Sequence, residues 1–316
     1  MNTKKIAIVM GAVSLTNLSA ARADINVVTS IKPVHSLVSG VMSGVGAPSL
    51  IVDGASSPHT YSLKPSQARQ LQNAKLVFWM GDELEAFLET PIANIANSAT
   101  TIKLIDTHDL KRIKFRDGGM FDDHDHEKHA KKDHDDHEHG EFDPHVWLDP
   151  INAKALIHAI EEALIKADPE HASTYEANAH KMMDKLDALV VELSHELEPV
   201  HKKGFIVFHD AYQYFEQRFG VAAVGSITVS PEVMPGAERV SKLRKKISEL
   251  NATCVFSEPQ FQPKLVETLV EGTGARTGVL DPLGATLKKG PDLYFQLLRN
   301  MASSLKKCLK GVAPSA

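Results

Sequence analysis

The sequence predicts an α/β fold of two lobes, each built on a mainly parallel sheet and joined by a long linking α-helix. Three observations carry this. Short β-branched runs alternate with helical stretches between residues 25 and 106, and again from residue 204 onward, which is the pattern of parallel strands with crossover helices. Between the two series, residues 169–198 form one uninterrupted amphipathic stripe. The His and acidic residues outside the helices gather just after the strands, where open parallel sheets place their binding crevices.

In order, residues 1–23 stand apart from the fold. Lys4 and Lys5 precede a short apolar run, and Ala21-Arg22-Ala23 supplies a small-x-small cleavage pattern, so export with cleavage after Ala23 is expected and Asp24 begins the mature chain. The apolar run is too short to span a bilayer. The first lobe, 24–168, then offers strands at 25–31, 48–54, 74–81 and 100–106, with helices around 35–45, from Pro65 and from Asp82. Residues 117–142 interrupt it with an acidic, His-rich loop carrying His124, His126, His129, His134, His137 and His139. Folded sequence resumes at Asp143.

In the linking helix, 169–198, Pro169 suits the first turn, Pro199 closes the end, and Tyr175, Ala179, Met182, Leu186, Leu189, Leu193 and Leu197 recur at spacings of three and four. Its length suits a rigid connector across both lobes; a core helix of one lobe is the plainer alternative. The second lobe, 199–316, repeats the alternation with strands at 204–210, 221–227, 252–258 and 275–281. The last helix runs from about Pro291 and carries Cys308. Two cysteines in an exported chain point to one disulfide, Cys254–Cys308, rather than a metal site, because CxxC spacings are missing.

Charge narrows the partners. The formal net charge of −5 becomes −8 once Lys4, Lys5 and Arg22 leave with the signal, and residues 121–143 hold ten Asp or Glu against three Lys. The acidity belongs to one loop, and no basic face exists to displace counterions from nucleic acid. Dense imidazole is a composition for zinc, copper or nickel, but a polar run with little to bury holds metals weakly and without fixed geometry. Better-placed ligands follow the strands: His59 after the second, His209 after the fifth, Glu258 and Asp281 after the seventh and eighth, and His145 at the foot of the loop. A lone histidine at such a place is more often a hydrogen-bonded structural residue. The joint placement of His59, His145, His209 and Asp281 beside a His-rich loop favours a four-ligand Zn2+ site in the cleft between the lobes. Three imidazoles favour zinc over manganese, which prefers oxygens. Glu258 reads as an orienting partner for a ligand's second ring nitrogen. His158, His171, His180 and His195 read as exposed helix residues, His201 follows the connector, and His35 and His108 stay unassigned.

Four segments carry a resemblance: HTYSLKPS from His59, DPHVWLDP from Asp143, VFHDAY from Val207 and LDPLG from Leu280. In this order they resemble the metal-site segments of the zinc-uptake periplasmic binding proteins of the ZnuA type, the soluble capture subunits of ABC transporters. The resemblance covers essentially the whole mature chain. It implies His59, His145 and His209 as zinc ligands, with the fourth place falling to Asp281 or to water. Some relatives have Glu immediately before the first His; Pro58 stands there here. The implied function is periplasmic capture of zinc by a monomer and delivery to an ABC permease, the loop collecting, buffering or sensing zinc at low affinity. Rival readings are a metal-regulated adhesin, which shares the fold, and a zinc hydrolase. An enzyme is not expected, since HExxH is lacking.

Overall fold

The computed structural model describes residues 25–116, 121, 142–228, 231, 235–249 and 254–311. The first 23 residues and the six histidines of the 117–142 loop lie outside the described residues.

Two four-stranded sheets, parallel throughout, organise the chain. The first has strands β1 (Val27–Thr29), β2 (Ser49–Leu50), β3 (Leu76–Trp79) and β4 (Thr100–Lys103), in the order β2-β1-β3-β4. The second has β5 (Phe205–Val207), β6 (Ala223–Ser226), β7 (Cys254–Ser257) and β8 (Arg276–Val279), in the order β6-β5-β7-β8. Central strands β1, β3 and β5 are buried at every position, whereas edge strands β4 and β8 are largely open. Parallel sheets covered on both faces need such unbroken apolar runs, and their edges do not.

The helices are α1 (Lys32–Val41), α2 (Pro65–Gln72), α3 (Asp82–Asn94), α4 (Pro150–Ala167), α5 (Ala172–Leu197), α6 (Gln213–Phe219), α7 (Ala237–Glu249), α8 (Lys264–Val270) and α9 (Leu293–Lys310). The linking helix is α5, preceded by a short 3-10 turn over Pro169–His171. Its 26 residues make about 39 Å of rod, and its buried stripe is the one read from the sequence, Tyr175 to Leu197. It packs on α1 and α4 from the first half of the chain and on α9 from the second. At its crossing with α1 the Met182 side chain packs directly onto Gly40: a Cβ there would lie 2.1 Å from Met182 Sδ. His171 differs from expectation. It is half-buried, and its ring meets Asp168 Oδ2 at 2.9 Å, an oxygen that also accepts from Tyr175 Oη at 2.7 Å.

One apolar core runs through both sheets and the helices between them; a second, smaller one lies under α7 and α8. Polar contacts cross between the halves as well. Buried Lys32, at the start of α1, donates from Nζ to the carbonyls of Gly284, Ala285 and Leu287 at 3.2, 2.7 and 3.0 Å. Trp147 Nε1 donates to Pro282 O at 2.9 Å, and Tyr294 Oη donates to Trp147 O at 2.5 Å. The Cys254–Cys308 disulfide ties β7 to α9.

Candidate metal centre

Each conspicuous histidine sits where a strand ends or a loop re-enters the fold. His59 lies in a 3-10 turn, Pro58–Thr60, after β2, and its N–H is received by the buried Ser57 Oγ at 3.3 Å. Downstream, Gln67 Nε2 donates to Ile51 O at 2.6 Å and to Tyr61 Oη at 2.9 Å, while Gln67 Oε1 accepts from Lys64 N at 2.8 Å. The HTYSLKPSQ stretch is thereby stapled to the end of β2.

His145 owes its position to Asp143, which is fully buried. Asp143 Oδ1 accepts from His145 N at 3.0 Å and meets ring Nδ1 at 2.6 Å. The Trp147 ring lies 5.1 Å from the imidazole, and Asp149 ends the motif by capping α4 at Ile151 N and holding Arg218 through two contacts of 2.7 Å. His209 follows β5 and Glu258 follows the adjacent β7, on either side of the place where the connections diverge, the usual crevice of such sheets. Glu258 Oε1 meets His209 Nδ1 at 2.7 Å.

With both Nδ1 atoms facing carboxylates, each must carry its ring proton there, which leaves the Nε2 lone pairs free for a cation. Those two Nε2 atoms face each other at 3.4 Å. Two lone pairs so opposed repel unless a proton or cation stands between them. Tetrahedral zinc with Zn–N of about 2.0–2.1 Å needs about 3.3 Å between ligand nitrogens. The His59 ring closes the group, 5.5 Å from His145 and 5.8 Å from His209 between centroids. One nitrogen from each of the three lies within 4.8 Å of the others.

Charge around the rings is arranged for a dication. Burial, and then the neighbouring His209, hold the His145 imidazole well below its ordinary value. Burial also pulls His209 down, but the Glu258 carboxylate outweighs it and the net shift is upward. Burial pushes the Asp143 carboxyl up to about 7. Behind each of two imidazoles thus stands one carboxyl that touches the ring and not the gap between rings. Leu84, Trp147, Phe261, Pro282 and Leu283 supply an apolar part of the cavity lining beside the three rings.

Asp281 is placed differently. Its carboxylate accepts from the N–H groups of Leu283, Gly284 and Ala285 at 3.1, 2.9 and 2.6 Å and from Gln260 Nε2 at 3.2 Å. It organises the tight turn at Gly284 (φ +69°) and does not join the three imidazoles as the fourth member of the group. His158, His180 and His195 are exposed, and His35 is buried against Pro48 O and Ser39 Oγ. Lys32, Arg116 and the role of Asp143 are not evident from the sequence, although Asp143 stands two residues from His145 in the DPHVWLDP segment.

Comparison with known proteins agrees in extent. The family model "Zinc-uptake complex component A periplasmic" matches residues 27–308. The high-affinity zinc uptake system protein ZnuA of Brucella abortus (strain 2308) is 56% identical over 304 residues, covering 90% of this chain and 91% of that one. The protein of the same name from Yersinia pestis is 37% identical over 295 residues, again covering 90% and 91%. A solved structure titled "Crystal structure of ZnuA" superposes with a TM-score of 0.75 at 25% identity, covering 90% of this chain and 98% of the other.

Proposed function

The chain belongs to the zinc-uptake component A family, the ZnuA family, and from that premise we propose that it captures Zn2+ in the periplasm on His59, His145 and His209 and delivers it to the permease of an ABC transporter. It is a carrier and not an enzyme, as a solute-binding member of a transport system. The observation that carries the ligand assignment is the 3.4 Å approach of two imidazole nitrogens whose opposite nitrogens both face buried carboxyls. That spacing fits tetrahedral zinc without rearrangement of either ring. His59, only half-buried on its turn, completes the set.

The fourth place goes to water in this reading, because Asp281 already receives four N–H donors. The cargo's two positive charges are balanced by Asp143 and Glu258 acting through the rings they hold. Cleavage after Ala23 releases a monomer with a first lobe over 24–168, the connector over 169–198 and a second lobe over 199–316. Its His-rich loop, 117–142, gathers zinc weakly ahead of the fixed centre.

Calorimetric titration with zinc tests the assignment. His59→Ala, His145→Ala and His209→Ala are each expected to abolish the tight binding event. Retention of that event in any of the three refutes it.

A further inference from the structure

His209 is held twice. Glu258 holds its ring, while the backbone beyond it is held from the other half of the chain. The next residue, Asp210, is buried, and its carboxylate accepts from Arg116 through Nε at 2.8 Å and through Nη2. The same guanidinium donates to Glu216 on α6, from Nη1 at 3.0 Å and Nη2 at 2.9 Å. Glu216 Oε2 also accepts from Ala223 N at 3.0 Å. The Phe121 ring covers the guanidinium face, 3.7 Å from Cζ to centroid. Arg116 therefore neutralises two buried carboxylates and donates four charge-assisted hydrogen bonds in its planar fork.

The stretch that delivers Arg116 also supports the other cleft histidine. Ile113 O accepts from Asp143 N at 2.8 Å, and Lys114 bridges Phe142 antiparallel. Tyr214 Oη, on α6, accepts from Ile113 N at 3.0 Å and donates to Asp143 O at 2.8 Å. Asp143 is the residue that grips His145. One four-residue stretch, 113–116, thus touches the supports of both His145 and His209 while supplying no ligand itself.

We propose that Arg116 is a positioning residue of the metal centre: by clamping Asp210 and Glu216 it fixes the backbone at His209 relative to the 113–143 pairing that carries His145. The inference rests on the three-histidine reading and adds to it the device that sets the 3.4 Å spacing. Loss of the guanidinium frees the 209–211 backbone and leaves two buried carboxylates in mutual repulsion.

The test uses the full mature chain. Arg116→Ala alone risks unfolding, so the informative variant is Arg116→Met/Asp210→Asn/Glu216→Gln, which removes all three charges at similar volume. Arg116→Lys keeps the charge but cannot bridge both carboxylates. Folding is checked by circular dichroism, zinc affinity by competition with a chromophoric chelator, and ligand geometry by the visible absorption of the cobalt(II)-loaded protein. Folded variants are expected to bind zinc about 10- to 100-fold more weakly, with an altered cobalt spectrum. A folded triple variant with unchanged affinity and spectrum overturns the proposal. So does an Arg116→Lys protein that matches wild type, since charge alone would then suffice. Absence of any tight zinc site in the wild type overturns the three-histidine reading itself, and this inference with it.

Discussion

His145 and His209 are oriented as a pair that could hold a cation by the residues behind them. Asp143 and Glu258 settle which ring nitrogen carries the proton and which faces the cleft. His35 shows the contrasting fate of a buried imidazole. It bonds Pro48 O and Ser39 Oγ, has no carboxylate against its ring, and is driven down to about 4 by burial and then by the charge of Lys289. Between pH 6.5 and 4 the unfolded chain therefore binds a proton at this site that the folded chain refuses, and stability falls as the pH falls. The loss amounts to about 3 kcal/mol at the acid end. Glu85 works in the opposite direction. Burial raises its carboxyl to about 7, so the folded chain takes its proton first on acidification. The comparison of wild type with His35→Gln isolates the histidine: urea unfolding at pH 7.5 and 4.5 should show a smaller acid-induced loss in the variant. Equal losses in both proteins would refute the assignment.

Among the elements, those with a strong period were legible in the sequence. Strands β1, β3 and β5 appear as apolar runs, and the stripe from Tyr175 to Leu197 marks α5 because both patterns are local. The helix predicted around 35–45 instead starts at Lys32, since Pro33 suits the first turn and buries with the helix. What local pattern cannot reveal is contact across long separations. Lys32 reads as an ordinary surface lysine, yet it is buried and donates to three carbonyls some 250 residues away. Arg116 next to an acidic run reads as a solvated charge, yet it pairs with carboxylates about 100 residues on. Asp281 adds a third case: its type and place suit a ligand, and the sequence does not show that its carboxylate accepts from Gln260 and from the turn at Leu283, Gly284 and Ala285. Lys32→Met should destabilise the protein by about 3 kcal/mol in urea, because two buried carbonyls and a part-buried one lose a charged donor. A change below 1 kcal/mol would mean that water or a shifted turn replaces the ammonium.

On the scale of the molecule, the two sheets are not independent bodies joined by a tether. A common apolar core, α5, the Lys32 and Trp147 contacts and the closely packed α9 bind one half to the other. The cleft between them is consequently narrow and already close to the spacing that zinc requires. This separates two ways of holding metal. Fixed imidazoles set by buried carboxyls hold one ion in defined geometry, whereas a chain of histidines among acids attracts many ions loosely. In the proposed division tight capture falls to the first alone. The most direct measurement is a zinc titration of the mature chain lacking residues 122–141, with Phe121 kept for its contact with Arg116. One tight equivalent should remain at wild-type affinity while the additional weak binding disappears. Loss of the tight equivalent on that deletion would place the capture site in the His-rich loop and contradict the account.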